Sequence, residues 1–160
     1  MKALALVLLL AGIMTTATEE KGIIGEYTED GLPVVMKFVD EFPSSDIRSK
    51  YRWLTVISWR YDGSGHNGMP GEDNLERMKL LEQTIENRLA REGLCLHAYS
   101  RTGNGLKELV YYIVDRDHFI ESFNKALSGQ PHYPLEIKFY EDEEWKDFRA
   151  VLDRFKLQGQ

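Results

Sequence analysis

The chain has 160 residues, 42% hydrophobic and 29% charged, with 20 Lys and Arg against 26 Asp and Glu for a formal net charge of −6. That length fits one domain with at most a short appendage, and the composition excludes a disordered, collagenous or low-complexity chain. The acidic balance disfavours an electrostatic grip on nucleic acid or an anionic membrane, and a single cysteine excludes an intramolecular disulfide and a cysteine-rich zinc site.

The chain opens with Lys2, an apolar stretch of 12 residues from Ala3 to Met14, and small or hydroxylated residues ahead of Glu19 and Glu20. A positive start, a short apolar core and a small-residue region are the layout of a secretory signal peptide. A membrane-spanning helix needs roughly 20 apolar residues, so this segment is too short for a permanent anchor. No cysteine follows Leu10-Ala11-Gly12, which closes the lipoprotein route. The expectation is a signal peptide over residues 1–17, a single domain over 18–160, and export to the periplasm or outside of a bacterial cell. Loss of residues 1–17, among which only Lys2 is charged, leaves 143 residues at net charge −7. In an oxidising compartment Cys95 is then expected to be buried, since an exposed thiol would pair between molecules.

Next, Ile23 to Tyr27 and Val34 to Val39 are β-type runs flanking Glu29-Asp30-Gly31-Leu32-Pro33, which reads as a hairpin. Pro43-Ser44-Ser45-Asp46 then reads as a polar link. Trp53 to Tyr61, rich in aromatic and β-branched residues, predicts a strong strand. The loop Asp62 to Gly71 carries four glycines and one proline. It feeds a helix predicted over about 72–92, with Leu75, Met78, Leu81, Ile85 and Leu89 at core spacing and Gly93 as its stop. Strands over 94–102 and 106–114 are joined by Gly103-Asn104-Gly105, with Leu94, Leu96 and Ala98 alternating against Cys95, His97 and Tyr99. A helix over about 116–127, capped by Asp115, is followed by an alternating strand over 135–139. Asp142 caps a last helix in which Trp145, Phe148, Leu152 and Phe155 share a face.

From residue 51 onward the order is β-α-β-β-α-β plus a helix, preceded by a hairpin. That predicts an α+β fold of the ferredoxin-like split β-α-β type: an antiparallel sheet with two helices on one face. The last helix then covers an edge or the open face.

Chemistry-bearing patterns are few. The glycine loop lacks the Gly-Lys-Ser/Thr ending of a phosphate loop, and Glu72 and Asp73 would repel phosphate. Asp62, Ser64 and His66 take the first alternate positions of a calcium loop, but Asn67 and Asp73 stand where that loop needs Gly and Glu. His66, His97, His118 and His132 show no zinc-ligand spacing. Cys95 and His97 share a strand face, yet nothing identifies a third group to orient the imidazole. No metal, cofactor or catalytic residue is therefore assigned. Strand aromatics remain, half of them core and the others candidates for a protein-binding face.

Gly31-Leu32-Pro33, Asn67-Gly68-Met69-Pro70, Thr102-Gly103, Leu106-Lys107-Glu108, Tyr111-Tyr112, Asp115, Asp142 and Trp145, in this order over about 25–148, resemble the bacterial domain of unknown function 695 family. The resemblance implies a ferredoxin-like fold, distantly similar to the regulator B of ribonuclease E activity, and an acidic protein that binds another protein. It implies no catalytic residues. The leading expectation is a non-enzymatic module binding a protein partner, without nucleic acid or a lasting membrane anchor. Its candidate contacts are Trp59, Tyr61, Asn67, Gly68, Met69, Pro70, Thr102, Gly103 and Tyr111. The alternative is a small-ligand binder or hydrolase-type enzyme with a pocket between the glycine loop and the 102–105 hairpin, using Tyr61, Glu72 or Tyr111.

Overall fold

The computed structural model describes residues 22–158, so the expected signal segment and cleavage site lie outside the described residues. The elements are β1 (Ile23–Glu29), β2 (Leu32–Phe38), α1 (Ser45–Lys50), β3 (Trp53–Arg60), α2 (Glu72–Ile85), β4 (Cys95–Gly103), β5 (Leu106–Ile113), α3 (Arg116–Leu127), β6 (Leu135–Glu141) and α4 (Lys146–Gln158). The strands form one sheet in the order β1-β2-β4-β5-β3-β6, every neighbouring pair antiparallel. The expected α+β class is therefore what the chain adopts. Among the described residues no helix is long and apolar enough to cross a membrane.

Both hairpins turn as their sequences dictate. Asp30-Gly31 (φ 52° and 78°) and Asn104-Gly105 (φ 49° and 71°) hold both central residues at positive φ, the conformation in which a two-residue turn matches the twist of its strands. Glycine is further required at Gly103, where a Cβ would lie 2.3 Å from the Pro33 carbonyl oxygen of β2.

The sheet is covered on both faces. On one, Met78, Leu81 and Ile85 of α2 and Phe119 and Phe123 of α3 pack on Ile57, Leu109 and Ile113. On the other, Trp145 and Phe148 and Leu152 of α4 pack on Leu54, Val110 and Tyr112. The last helix thus covers the open face rather than an edge. The Asp115 carboxylate accepts from the His118 N–H at 2.7 Å and starts α3. Asp142 does the same for α4, accepting from the N–H groups of Lys146 at 2.9 Å and Asp147 at 3.1 Å.

Four local expectations are corrected. Residues 45–50, read as a polar link, form α1, whose first turn carries Asp46 and whose last carries Arg48 and Lys50, in line with the helix dipole. The long helix ends as regular α-helix at Ile85 and continues through Glu86–Ala90 as a wider π-helical turn. The alternation in β4 breaks at a bulge between His97 and Tyr99, so that Ala98 and Tyr99 both join the cluster under α4 while Cys95 lies under α2 and α3. Trp145 precedes α4 at φ 55° instead of lying within it, and its indole N–H donates to the Tyr51 carbonyl at 2.8 Å.

Candidate functional site

The glycine loop closes against the two hairpin turns. The Gly63 carbonyl accepts from the N–H groups of His66 and Gly68, and the Gly68 carbonyl accepts from Gly105 N–H at 2.9 Å. The Tyr61 hydroxyl also donates to Gly68 O at 2.9 Å. Gly68 has φ 80°, and a Cβ there would stand 3.0 Å from Asn104 N. On the same rim the Arg101 guanidinium meets Glu29 at 2.7 Å, and the Asn104 amide reaches Glu29 at 3.1 Å and Asp30 at 3.2 Å. Asn67-Gly68, Thr102-Gly103 and the 29–33 turn therefore converge into a backbone clasp. It ties the β4-β5 turn to the glycine loop that leads into α2.

Below the clasp the sheet outgrows its helical cover. Helices α2 and α3 pack over the β4-β5-β3-β6 part, while the β1-β2 hairpin widens the sheet beyond them. The step leaves an open groove of about 810 Å³. Its floor is Lys37 of β2, His97 and Thr102 of β4, and Lys107 and Tyr111 of β5. Its wall is the α2 stripe Leu75, Lys79, Glu82 and Gln83, continued by Glu86 and Asn87. Leu75, expected in the core, is 51% exposed at this rim.

Within the groove Lys107 Nζ pairs with Glu82 at 2.8 Å. The His97 ring lies edge-on to Tyr111 with centroids 5.3 Å apart. The His97 side chain reaches the surface, but the surrounding walls strip away much of its water and push its pKa down to about 4; Glu82 opposes this and Lys37 and Lys107 add to it. Burial holds the Tyr111 hydroxyl well above its ordinary range, helped by Cys95, Glu82 and Glu86. Burial, with Glu86 adding to it, pushes the Cys95 thiol up to about 12, so the thiol is protonated and unreactive at neutral pH. Near pH 7 the floor thus presents uncharged imidazole, phenol and hydroxyl groups framed by lysines and glutamates.

The expected contact residues divide among three settings. Thr102 and Tyr111 lie in the groove, although Tyr111 is only 3% exposed. Tyr61, Asn67, Gly68, Met69, Pro70 and Gly103 belong to the clasp, with Gly68, Pro70 and Gly103 buried, Tyr61 and Met69 half-buried and Asn67 exposed. Trp59 is a correction: it is 2% exposed in the core, with Tyr133 edge-on at 5.5 Å and the Arg77 guanidinium over its ring at 5.1 Å. It offers no open face to a partner. Of the three residues offered for the alternative pocket, Tyr111 lines the groove, Tyr61 is bonded into the clasp and Glu72 stands in the first turn of α2. Lys37, Lys79, Glu82 and Glu86 were not recognised from sequence, and His97 was weighed there only as a partner for Cys95. Their only sequence signal was helical spacing on α2 and alternation on β2 and β4, which a solvated face shares.

Among the described residues no group of His, Cys, Asp and Glu could hold a metal ion. The other residues in the motif set are structural. Tyr112 stacks on Trp145 at 3.8 Å and donates to Asp142 at 2.7 Å beneath α4. The model of a family of unknown function, DUF695, matches residues 27–152. Searches of curated proteins and of solved structures gave no match.

Proposed function

Since the chain belongs to the DUF695 family, and its groove is a large concavity that Thr102, Lys107 and Tyr111 of the motif set help to line, we propose that it is a non-catalytic binding module that captures a segment of a partner protein there. The observation that carries the reading is the groove itself. Its 810 Å³ falls within the roughly 300–1,000 Å³ of functional clefts, and its charged and amide side chains, set beside apolar Phe38, Val39, Leu75 and Met78, suit a polypeptide segment. Support also comes from the proton states: His97 and Cys95 titrate far from neutral pH, whereas an acid–base catalyst works best near it. The strand order β6-β3-β5-β4, with α2 and α3 as the crossovers, agrees with a ferredoxin-like split β-α-β unit, which the β1-β2 hairpin widens. Protein binding is also what distant kinship with the ribonuclease E regulators would imply. The reading includes export through residues 1–17, with the module working in the periplasm or outside the cell, free of cofactor and nucleic acid.

The test is capture from an envelope extract followed by amine cross-linking. Wild type is expected to recover a protein whose cross-links fall on Lys37 and Lys79, and Gln83→Trp, an exposed helix position that fills the groove, is expected to lose it. Equal recovery by both, or no recovery by either, overturns the proposal. Intact mass of the exported protein tests the processing, and a full-length mass overturns that part.

A further inference from the structure

Charge is unevenly spread along the groove. The short connection from the end of α2 into β4 sets the two antiparallel, so Leu75 and Lys79 lie toward the Thr102 end and Glu86 toward the Cys95 end. Lys107 and Glu82 neutralise each other at 2.8 Å. Lys37 on the floor and Lys79 on the wall are both exposed and form no ion pair among the described residues. Two uncompensated ammonium groups thus face one space, beside the exposed Leu75, on a chain whose net charge is −6. Such a local inversion of sign selects what enters the groove, because a wrong charge there is left desolvated without a partner.

We infer that the groove takes an extended acidic segment of its protein partner, a carboxylate seated between Lys37 and Lys79 and an apolar neighbour against Leu75. This rests on the groove being the binding site, as proposed above. Lys37 rises from the floor and Lys79 from the wall, and a carboxylate carries two oxygens, one for each ammonium group. At the other end Asn87 and Gln83 offer amides to the backbone of an extended chain. Glu86 penalises a second acid there, which sets the direction in which the segment lies.

The test is selection of short random peptides displayed on phage against the wild-type protein, counter-screened on Gln83→Trp. Peptides that need the open groove are expected to be enriched in Asp and Glu. They are expected to bind Lys37→Glu/Lys79→Glu about tenfold more weakly while Lys37→Arg/Lys79→Arg retains them, as loss of a charge-assisted contact predicts. Groove-dependent peptides that are neutral or basic overturn this inference and leave the binding module standing. Selection of no groove-dependent peptide overturns both. Both lysines are exposed, so the variants keep the core intact, and superimposable circular dichroism spectra confirm it.

Discussion

His97 ties the groove to the stability of the fold. Its pKa is about 4 in the folded protein against 6.5 for an ordinary histidine, so between these values the unfolded chain binds a proton that the folded chain does not. Acidification therefore favours unfolding. The charged groups facing the ring are Glu82 from α2, Lys37 from β2 and Lys107 from β5, with the Tyr111 phenol edge-on, and only Glu82 favours the charged form. Urea midpoints are expected to fall as pH drops from about 6.5 to about 4, and His97→Gln to flatten that slope; an equal slope in the variant would count against this assignment. Sequence gave no hint of this behaviour, because a strand histidine is read as exposed or buried and His97 is neither in the simple sense. Cys95 was legible, since a lone cysteine in an apolar strand is most often a small buried hydrophobe, and here its side chain is fully enclosed. Trp59 was misread because β3 is interior to the sheet. An aromatic on an interior strand has helices above it, and only the strand order reveals that β3 lies between β5 and β6.

Among the elements, α4 depends most on a single residue. Asp142 accepts from two backbone N–H groups of the helix and from the Tyr112 hydroxyl, so it starts α4 and also fastens it to β5. Asp115 accepts only the His118 N–H at the start of α3. Asp142→Ala is expected to cost about 2 kcal/mol, and Asp115→Ala about 1 kcal/mol, in urea denaturation. Equal losses would show that the Tyr112 bond contributes nothing. Both caps were readable from sequence as Asp ahead of an apolar periodic run. The π-helical turn at Glu86–Ala90 was not, because its effect is to shift a helical register without breaking the apolar pattern. It keeps Leu89 in the core even though the regular helix has ended at Ile85.

For the molecule as a whole, what sequence could not supply was adjacency. Hairpins, helices and their order were legible from turn chemistry and periodicity, since both are local. The groove joins β2 to α2 across about 40 residues of chain, and it exists because β2 pairs with β4 rather than with its successor β3. That same sheet brings the two ends of the described chain together. Phe155, in the last turns of α4, rests on β1 so closely that a Cβ at Gly25 would lie 2.2 Å from its ring. The fold is therefore nearly a closed loop, and its starting point is a topological choice that the packing does not depend on. A circular permutant joining residue 158 to residue 22 by a short glycine-serine linker, and opened between Ser128 and Gly129, where the backbone is exposed, is expected to fold. A thermal midpoint within a few degrees of the parent domain would bear this out, and an insoluble product would refute it. The order in which the ribosome delivers the strands could then be varied while the groove stays the same.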